Sequence, residues 1–290
     1  MRPGGSKRAG TARAHLLVAA ALSGLLGSLA VAGPGRAESA EKRILLEQGE
    51  RVYSIHCVGC HGLAGDGRGP AAEMLIVKPR DFTSGIFKFR STPNGSLPTD
   101  EDLYRTITRG VNRTSMPEWS MLPDRERFAL VEYVKTFSPR WTQEAPGVPI
   151  FIPQPPAWLG SPESVARGRL LYEGLECGRC HGPDGRGDGP SALSLQPDEW
   201  GQPQRPFNFT KGALKSGASP QDVYRTFMTG LNGTAMPSYA EIFDQPDGEN
   251  ILTDDAWNLV SFILSLRTAP ASTARAAAAP GSAPGKEPKP

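Results

Sequence analysis

The four cysteines of this 290-residue chain stand in two settings of one form, Cys57-Val58-Gly59-Cys60-His61 and Cys177-Gly178-Arg179-Cys180-His181, placed 120 residues apart. Cys-x-x-Cys-His is the attachment signature of a c-type haem. The order follows from the chemistry. Two thiols on one short turn add across the two vinyl groups of a single porphyrin, and the imidazole that follows reaches the iron. One copy alone would leave open a redox dithiol or half of a zinc site. Two copies with no cysteine left over argue against both readings. They imply two covalently bound haem c groups, held at Cys57 and Cys60 and at Cys177 and Cys180, with His61 and His181 as proximal iron ligands.

Each motif has a methionine at the same distance. His61 to Met116 and His181 to Met236 are both 55 residues, and both methionines precede proline in the related strings Asn112-Arg113-Thr114-Ser115-Met116-Pro117 and Asn232-Gly233-Thr234-Ala235-Met236-Pro237. A thioether opposite an imidazole is the axial pair of electron-carrying cytochromes c, and it raises the reduction potential. A lone methionine is usually core filler. Met74, Met121 and Met228 have Ser194, Glu241 and Thr108 at the 120-residue offset, so they fail the repeat test and read as packing or surface residues. Met116 and Met236 are the expected sixth ligands. Of the four histidines, His15 lies in the N-terminal apolar stretch, and His56 adjoins Cys57 with Glu176 as its counterpart. His56 reads as a surface residue, so the chain does not supply bis-histidine ligation to both haems.

The duplication extends past the ligands. Gly49 to Tyr53 matches Gly168 to Tyr172, and Gly69-Pro70 matches Gly189-Pro190. Pro79-Arg80-Asp81-Phe82-Thr83 matches Pro206-Phe207-Asn208-Phe209-Thr210 at an offset of 127, and Tyr104-Arg105-Thr106 matches Tyr224-Arg225-Thr226 back at 120. Seven residues are thus inserted in the second copy's first loop and recovered in its next. Loops drift in length while ligand spacing holds, as in a duplicated domain.

Each copy reads as helix, loop, helix, loop, helix. Thr99 and Asp102 form a capping box before Leu103–Arg109, closed by Gly110, and Ser219, Pro220 and Asp222 begin the same helix in the second copy. The last helices fall at roughly 124–137 and 254–267, where Leu130, Val131, Tyr133, Val134 and Phe137, and then Trp257, Val260, Phe262, Ile263 and Leu266, are helically spaced. The Gly- and Pro-rich segments between helices bury little of their own, so the porphyrin is expected to supply much of each core.

The ends differ from the middle. Residues 1–14 are basic without an acid, Leu16 to Ala32 is apolar, and Ala30-Val31-Ala32 is a cleavage candidate, with an alternative cut after Ala37. Residues 1–37 therefore read as a secretory signal. The competing reading is an uncleaved anchor over 16–32. The following segments are expected at 38–140 (N-terminal haem domain), 141–161 (a proline-rich packed linker), 162–268 (C-terminal haem domain) and 269–290 (a disordered Ala/Pro/Gly/Ser tail). Ile150, Phe151, Ile152 and Trp158 make the linker too apolar for a free tether.

The formal charge of +2 includes a basic leader. Cut after Ala37, the chain carries 27 basic and 30 acidic residues, and the excess of acid lies in 141–268, with 9 basic and 15 acidic residues, against 15 and 14 in 38–140. That balance suggests partners of different charge for the two domains. No nucleic-acid partner is expected.

With CxxCH, a distal Met-Pro and three short helices, each half resembles a class I cytochrome c domain. The whole is similar in plan to the tandem dihaem cytochromes of the c4 group over about residues 42–268, with longer loops. The resemblance implies an all-α fold of two tandem class I cytochrome c domains, each about three short helices wrapped around a covalent haem. It implies that Pro70 and Pro190 offer their carbonyls to the proximal imidazoles. It also carries over a helix-to-helix contact through Gly49 and Gly168. Arg105 and Arg225 read either as haem-propionate partners or as helix-surface arginines. Trp119 and Tyr239 read as haem-pocket residues, propionate donors or core.

The function so implied is a periplasmic carrier of single electrons between redox proteins, periplasmic or membrane-bound, with no catalytic residue. Membrane contact is expected only through partners unless 16–32 is retained. The alternatives are a haem subunit of a membrane-bound oxidase or reductase complex and a dihaem peroxidase. The last needs one iron able to open, and the matched 55-residue spacings argue against it.

Overall fold

Glycine decides where the helices of each repeat cross. In the computed structural model, which describes residues 34–243 and 251–267, α1 (Pro34–His56) runs into the first CxxCH and packs against α4 (Asp124–Lys135) at Gly49. In the second repeat α6 (Pro162–Gly174) packs against α10 (Ile251–Ser265) at Gly168. With no Cβ on the glycine, the helix backbones approach closely. The expected leader up to residue 33 and the expected tail at 269–290 lie outside the described residues.

The other helices are α2 (Val58–His61), α3 (Asp100–Arg109), α5 (Arg140–Gln143), α7 (Gly178–His181), α8 (Pro220–Thr229) and α9 (Ala240–Phe243). Single 3₁₀ turns cover Ala72–Met74 and Phe209–Lys211. Among the described residues there is no β-strand, only an isolated bridge between Leu214 and Gly217.

Both capping boxes form. Thr99 Oγ1 accepts from Asp102 N at 3.2 Å while Asp102 Oδ2 accepts from Thr99 N at 3.1 Å. Ser219 and Asp222 repeat the pair at 3.1 Å each way. Each box satisfies two helix-end donors.

Two apolar clusters form. One gathers Val52, Tyr53, Phe87, Leu103, Leu130, Val131 and Val134; the other, around Tyr172, Phe227, Trp257 and Val260, contains Phe209, Val223, Tyr224 and Phe262 as well. Contacts divide the chain at Ala40, and the described residues from Glu41 onward form one compact unit that holds both repeats. Several bonds explain this. Arg109 meets Asp222 at 3.3 Å, Lys88 meets Asp198 at 2.8 Å, and Asn112 Nδ2 donates to Leu214 O at 2.8 Å. Between the repeats, Ile150 N donates to Ser91 O at 2.8 Å while Ile150, Ile152 and Leu159 pack on the second cluster. Phe151 is exposed, so its apolar character is not spent on that packing.

Candidate haem sites

Each CxxCH is a single helical turn at the end of a longer helix. His61 N donates to Cys57 O and His181 N to Cys177 O, both at 2.9 Å, which puts the two thiols of each motif on one face with the imidazole following. Gly62 (φ 79°) and Gly182 (φ 78°) end the turns in the left-handed region, and the buried hydroxyls of Tyr53 and Tyr172 donate to their carbonyls at 2.8 and 2.7 Å. Burial pushes the Cys57 and Cys177 thiols up to about 12 and about 11. A redox dithiol does the opposite, depressing the pKa of its attacking cysteine.

The imidazoles are cradled by the segment that matches at the 127-residue offset. His61 Nδ1 donates to the carbonyl of Arg80 at 3.0 Å, and His181 Nδ1 to that of Phe207 at 3.0 Å. A carbonyl oxygen only accepts, so Nδ1 carries the proton and Nε2 keeps a free lone pair. Burial also lowers the pKa of both rings, which favours the neutral, ligating form. Phe82 stacks on His61 with ring centroids 4.5 Å apart, and Phe209 on His181 at 4.6 Å. Asp81 and Asn208 fold the segment locally by accepting from Thr83 N and Thr210 N at 2.8 and 3.0 Å.

This corrects the expectation for Pro70 and Pro190. Both are exposed, and the carbonyls facing the histidines belong to Arg80 and Phe207. The Gly69-Pro70 and Gly189-Pro190 pairs recur for another reason. A Cβ on Gly69 would sit 2.5 Å from Val58 O, and one on Gly189 2.3 Å from Arg179 O, so the loop grazes the CxxCH backbone there. It then runs on before Phe82 N and Phe209 N bond Gly65 O and Gly185 O, each at 2.7 Å, bringing the later segment beside the histidine. The sequence signal was present in the shared Pro-x-Asp/Asn-Phe-Thr string, which reads from sequence only as a mark of duplication.

The methionine loops are also copies. Val111 N and Leu231 N donate to Met116 O and Met236 O at 3.1 Å, and Thr114 and Thr234 hydroxyls accept from the methionine amides at 3.1 and 3.2 Å. Gly110 and Gly230 hold positive φ where Pro117 and Pro237 crowd them. Met74 and Met121 are exposed and Met228 is buried in the second core. His56 is exposed, with its ring 4.9 Å from that of Trp119. Tyr239 packs on the second core, as does Cys177. Arg105 and Arg225 pair with Asp102 and Asp222 on their own helices. Both arginines also line one cavity between the repeats, together with Lys88, Arg90, Arg109 and Lys215, and Arg225 Nε is buried there with no hydrogen-bond partner.

Residues 45–134 match the family described as cytochrome c oxidase, cbb3-type, subunit III, and residues 165–267 match the cytochrome c family. A chain of the Kuenenia stuttgartiensis reducing HAO-like protein complex is 43% identical, with a TM-score of 0.69 over 76% of this chain and 96% of that one. This protein is a tandem dihaem class I cytochrome c. It carries two covalent haem c groups, and the pairs Cys57/Cys60 and Cys177/Cys180 fit their attachment. No curated protein sequence matches the chain. Among the described residues no helix of this cytochrome is long and apolar enough to cross a membrane.

Proposed function

We propose that this cytochrome carries single electrons between redox proteins of the periplasm through two His/Met-ligated haems, His61 with Met116 and His181 with Met236. Bound haem c supplies a one-electron ferric/ferrous couple. The chain's residues do the rest. Each imidazole is fixed in one tautomer by a backbone carbonyl and held by a phenyl ring, and each methionine is presented on a hydrogen-bonded loop. Thioether donation favours ferrous iron and so a high potential. The cationic cavity at Arg105 and Arg225 suits haem propionates, which Arg recognises in bidentate fashion.

The observation that carries this reading is sameness. Both repeats build the same histidine cradle and the same methionine loop, which supports two alike sites over a pair of which one opens to peroxide. Export through residues 1–37 and segmentation at 38–140, 141–161, 162–268 and 269–290 belong to the same proposal. Titrating the purified protein optically, then mixing the reduced form with peroxide and with small redox proteins, tests it. Reversible one-electron steps with slow peroxide reaction are expected. Fast peroxide turnover would overturn it.

A second reading has a specific observation behind it. The similar Kuenenia stuttgartiensis chain belongs to a reducing HAO-like protein complex, and the first repeat matches a family named for an oxidase subunit. On that reading the cytochrome works as the small haem subunit of a larger oxidoreductase. Isolation from its native membrane and periplasmic fractions, followed by native mass measurement, separates a free carrier from a bound subunit.

A further inference from the structure

The two haem sites touch each other's supports. Arg80, whose carbonyl holds His61, lays its guanidinium 3.4 Å over the ring of Trp200 in the second repeat. Trp200 lies in the seven-residue insertion and backs the Met236 loop. A Cβ on Gly233 would lie 2.5 Å from the Trp200 ring, Glu199 N donates to Gly233 O at 3.0 Å, and Ala235 N donates to Gln204 Oε1 at 2.8 Å. The reverse contact is built differently. The first repeat lacks the insertion, and Arg113 of the Met116 loop reaches across, 5.4 Å over the ring of Phe207, whose carbonyl holds His181. Arg113 Nη1 also donates to Lys211 O at 3.0 Å. Arg113 stands at φ 60°, where the second repeat has Gly233 at φ 74°. A left-handed arginine is an outlier retained against a glycine that fits without strain.

We infer that Trp200 and Arg113 are positioning residues that tie the proximal support of each haem to the distal loop of the other. Through them, each site's potential depends on a residue of the opposite repeat. The inference rests on the axial ligands proposed above. The physical lever is charge beside the iron. A cation disfavours the ferric state, and its effect grows where water is kept away. Trp200 shields the Arg80 guanidinium on the His61 side. Arg113 brings its own charge to the His181 side.

The test uses the full haem-loaded protein. Per-haem potentials come from optical titration, with each haem assigned by the paramagnetically shifted methyl resonances of the ferric form. Trp200→Ala is expected to lower the potential of the haem at His61 more than that of the haem at His181, although Trp200 belongs to the second repeat. Arg80→Gln removes the same contact from the other side without touching the carbonyl, so it gives the same shift if Trp200→Ala loses haem. Arg113→Gly, which relieves backbone strain, is expected to lower the potential of the haem at His181, and Arg113→Lys to restore part of it. A Trp200 or Arg113 variant that shifts only the haem of its own repeat, or neither haem, would overturn the inference, as would an Arg80→Gln variant that leaves the haem at His61 unmoved. If the wild type lacks the Met–iron absorption, the ligand proposal fails instead, and the crossed methyl shifts still report the coupling.

Discussion

Gly168 on α6 faces the carbonyl of Asn258 on α10 so closely that a Cβ would lie 1.9 Å from the oxygen. Gly49 stands in the same relation to Ala129 O, at 2.1 Å. The nearest atoms are backbone, which has no rotamer by which to yield. Gly168→Ala or Gly49→Ala must therefore part the helices. Overpacking of this kind costs about 1–3 kcal/mol. Thermal unfolding of the haem-loaded variants is expected to show a lower midpoint for each, while Gly174→Ala, with open space around it, stays near the wild type. Equal midpoints for all three would show that the crossings carry no close packing.

The methionine assignments predict a specific spectral loss. Met116→Ala and Met236→Ala are each expected to remove one of two Met–iron charge-transfer bands and to lower one potential, since losing the thioether favours ferric iron. Met121→Ala, at an exposed position, is expected to leave both bands intact. Intact mass of all three should retain two haems. A variant at 116 or 236 that keeps both bands would return that iron to another ligand.

How far the sequence discloses the site depends on the length scale. The CxxCH turns, the methionine loops and the capping boxes are short strings whose geometry follows from local chemistry, whereas the glycine crossings were expected from the family resemblance. The second copy confirms each by repeating it. The partner of the proximal imidazole is a different case. It sits 19 residues from His61 but 26 from His181, because the insertion intervenes, so a fixed offset from the motif points to Pro70 rather than Arg80. The contacts between repeats are less legible still. Lys88 with Asp198 and Arg80 with Trp200 join residues more than a hundred positions apart, and Trp200 has no counterpart in the first copy. The arginines of Tyr-Arg-Thr were readable as charge, but their pairing with Asp102 and Asp222 needed the helix in place.

Acid should loosen the contact between repeats. Burial raises the pKa of Asp222, but hydrogen bonds from Ser219 and Arg225 outweigh it and hold the carboxyl below the ordinary 3.8. Asp198 behaves likewise, with burial overcome by Lys88. A depressed carboxyl contributes stability that is fully present above its unfolded value and lost as pH falls through its folded one. The contribution is therefore intact at neutral pH and disappears below about pH 4. Asp222→Asn is expected to cost on the order of 3 kcal/mol at pH 7, because it strands Arg225. The loss should shrink towards zero as wild type and variant converge in acid. A gap that stayed constant from pH 7 to pH 3 would mean that the carboxylate charge contributes nothing.

Arg90 joins the two repeats through buried hydrogen bonds. It is 1% exposed, and burial pulls its pKa down only to about 10, so it stays charged at neutral pH. Its Nη2 donates to Thr229 O at 2.7 Å and to Asn94 Oδ1 at 3.1 Å, and its Nε donates to Pro93 O at 3.2 Å. Thr229 ends α8, so an arginine of the first repeat caps the carboxyl end of a helix in the second, where a cation also meets the helix dipole favourably. Arg90→Ala leaves the buried Thr229 carbonyl without that donor, at about 1–3 kcal/mol. Arg90→Lys keeps the charge but has one nitrogen where the guanidinium donates through three, so it should recover only part. Because the hydrogen bonds lost to Thr229 and Gly230 cross the join, the expected signature is a loss of cooperativity. The wild type should melt in one calorimetric transition, and Arg90→Ala should split it into two with both Met–iron bands retained at low temperature. A single transition, merely shifted, would assign Arg90 to the stability of one repeat rather than to the join.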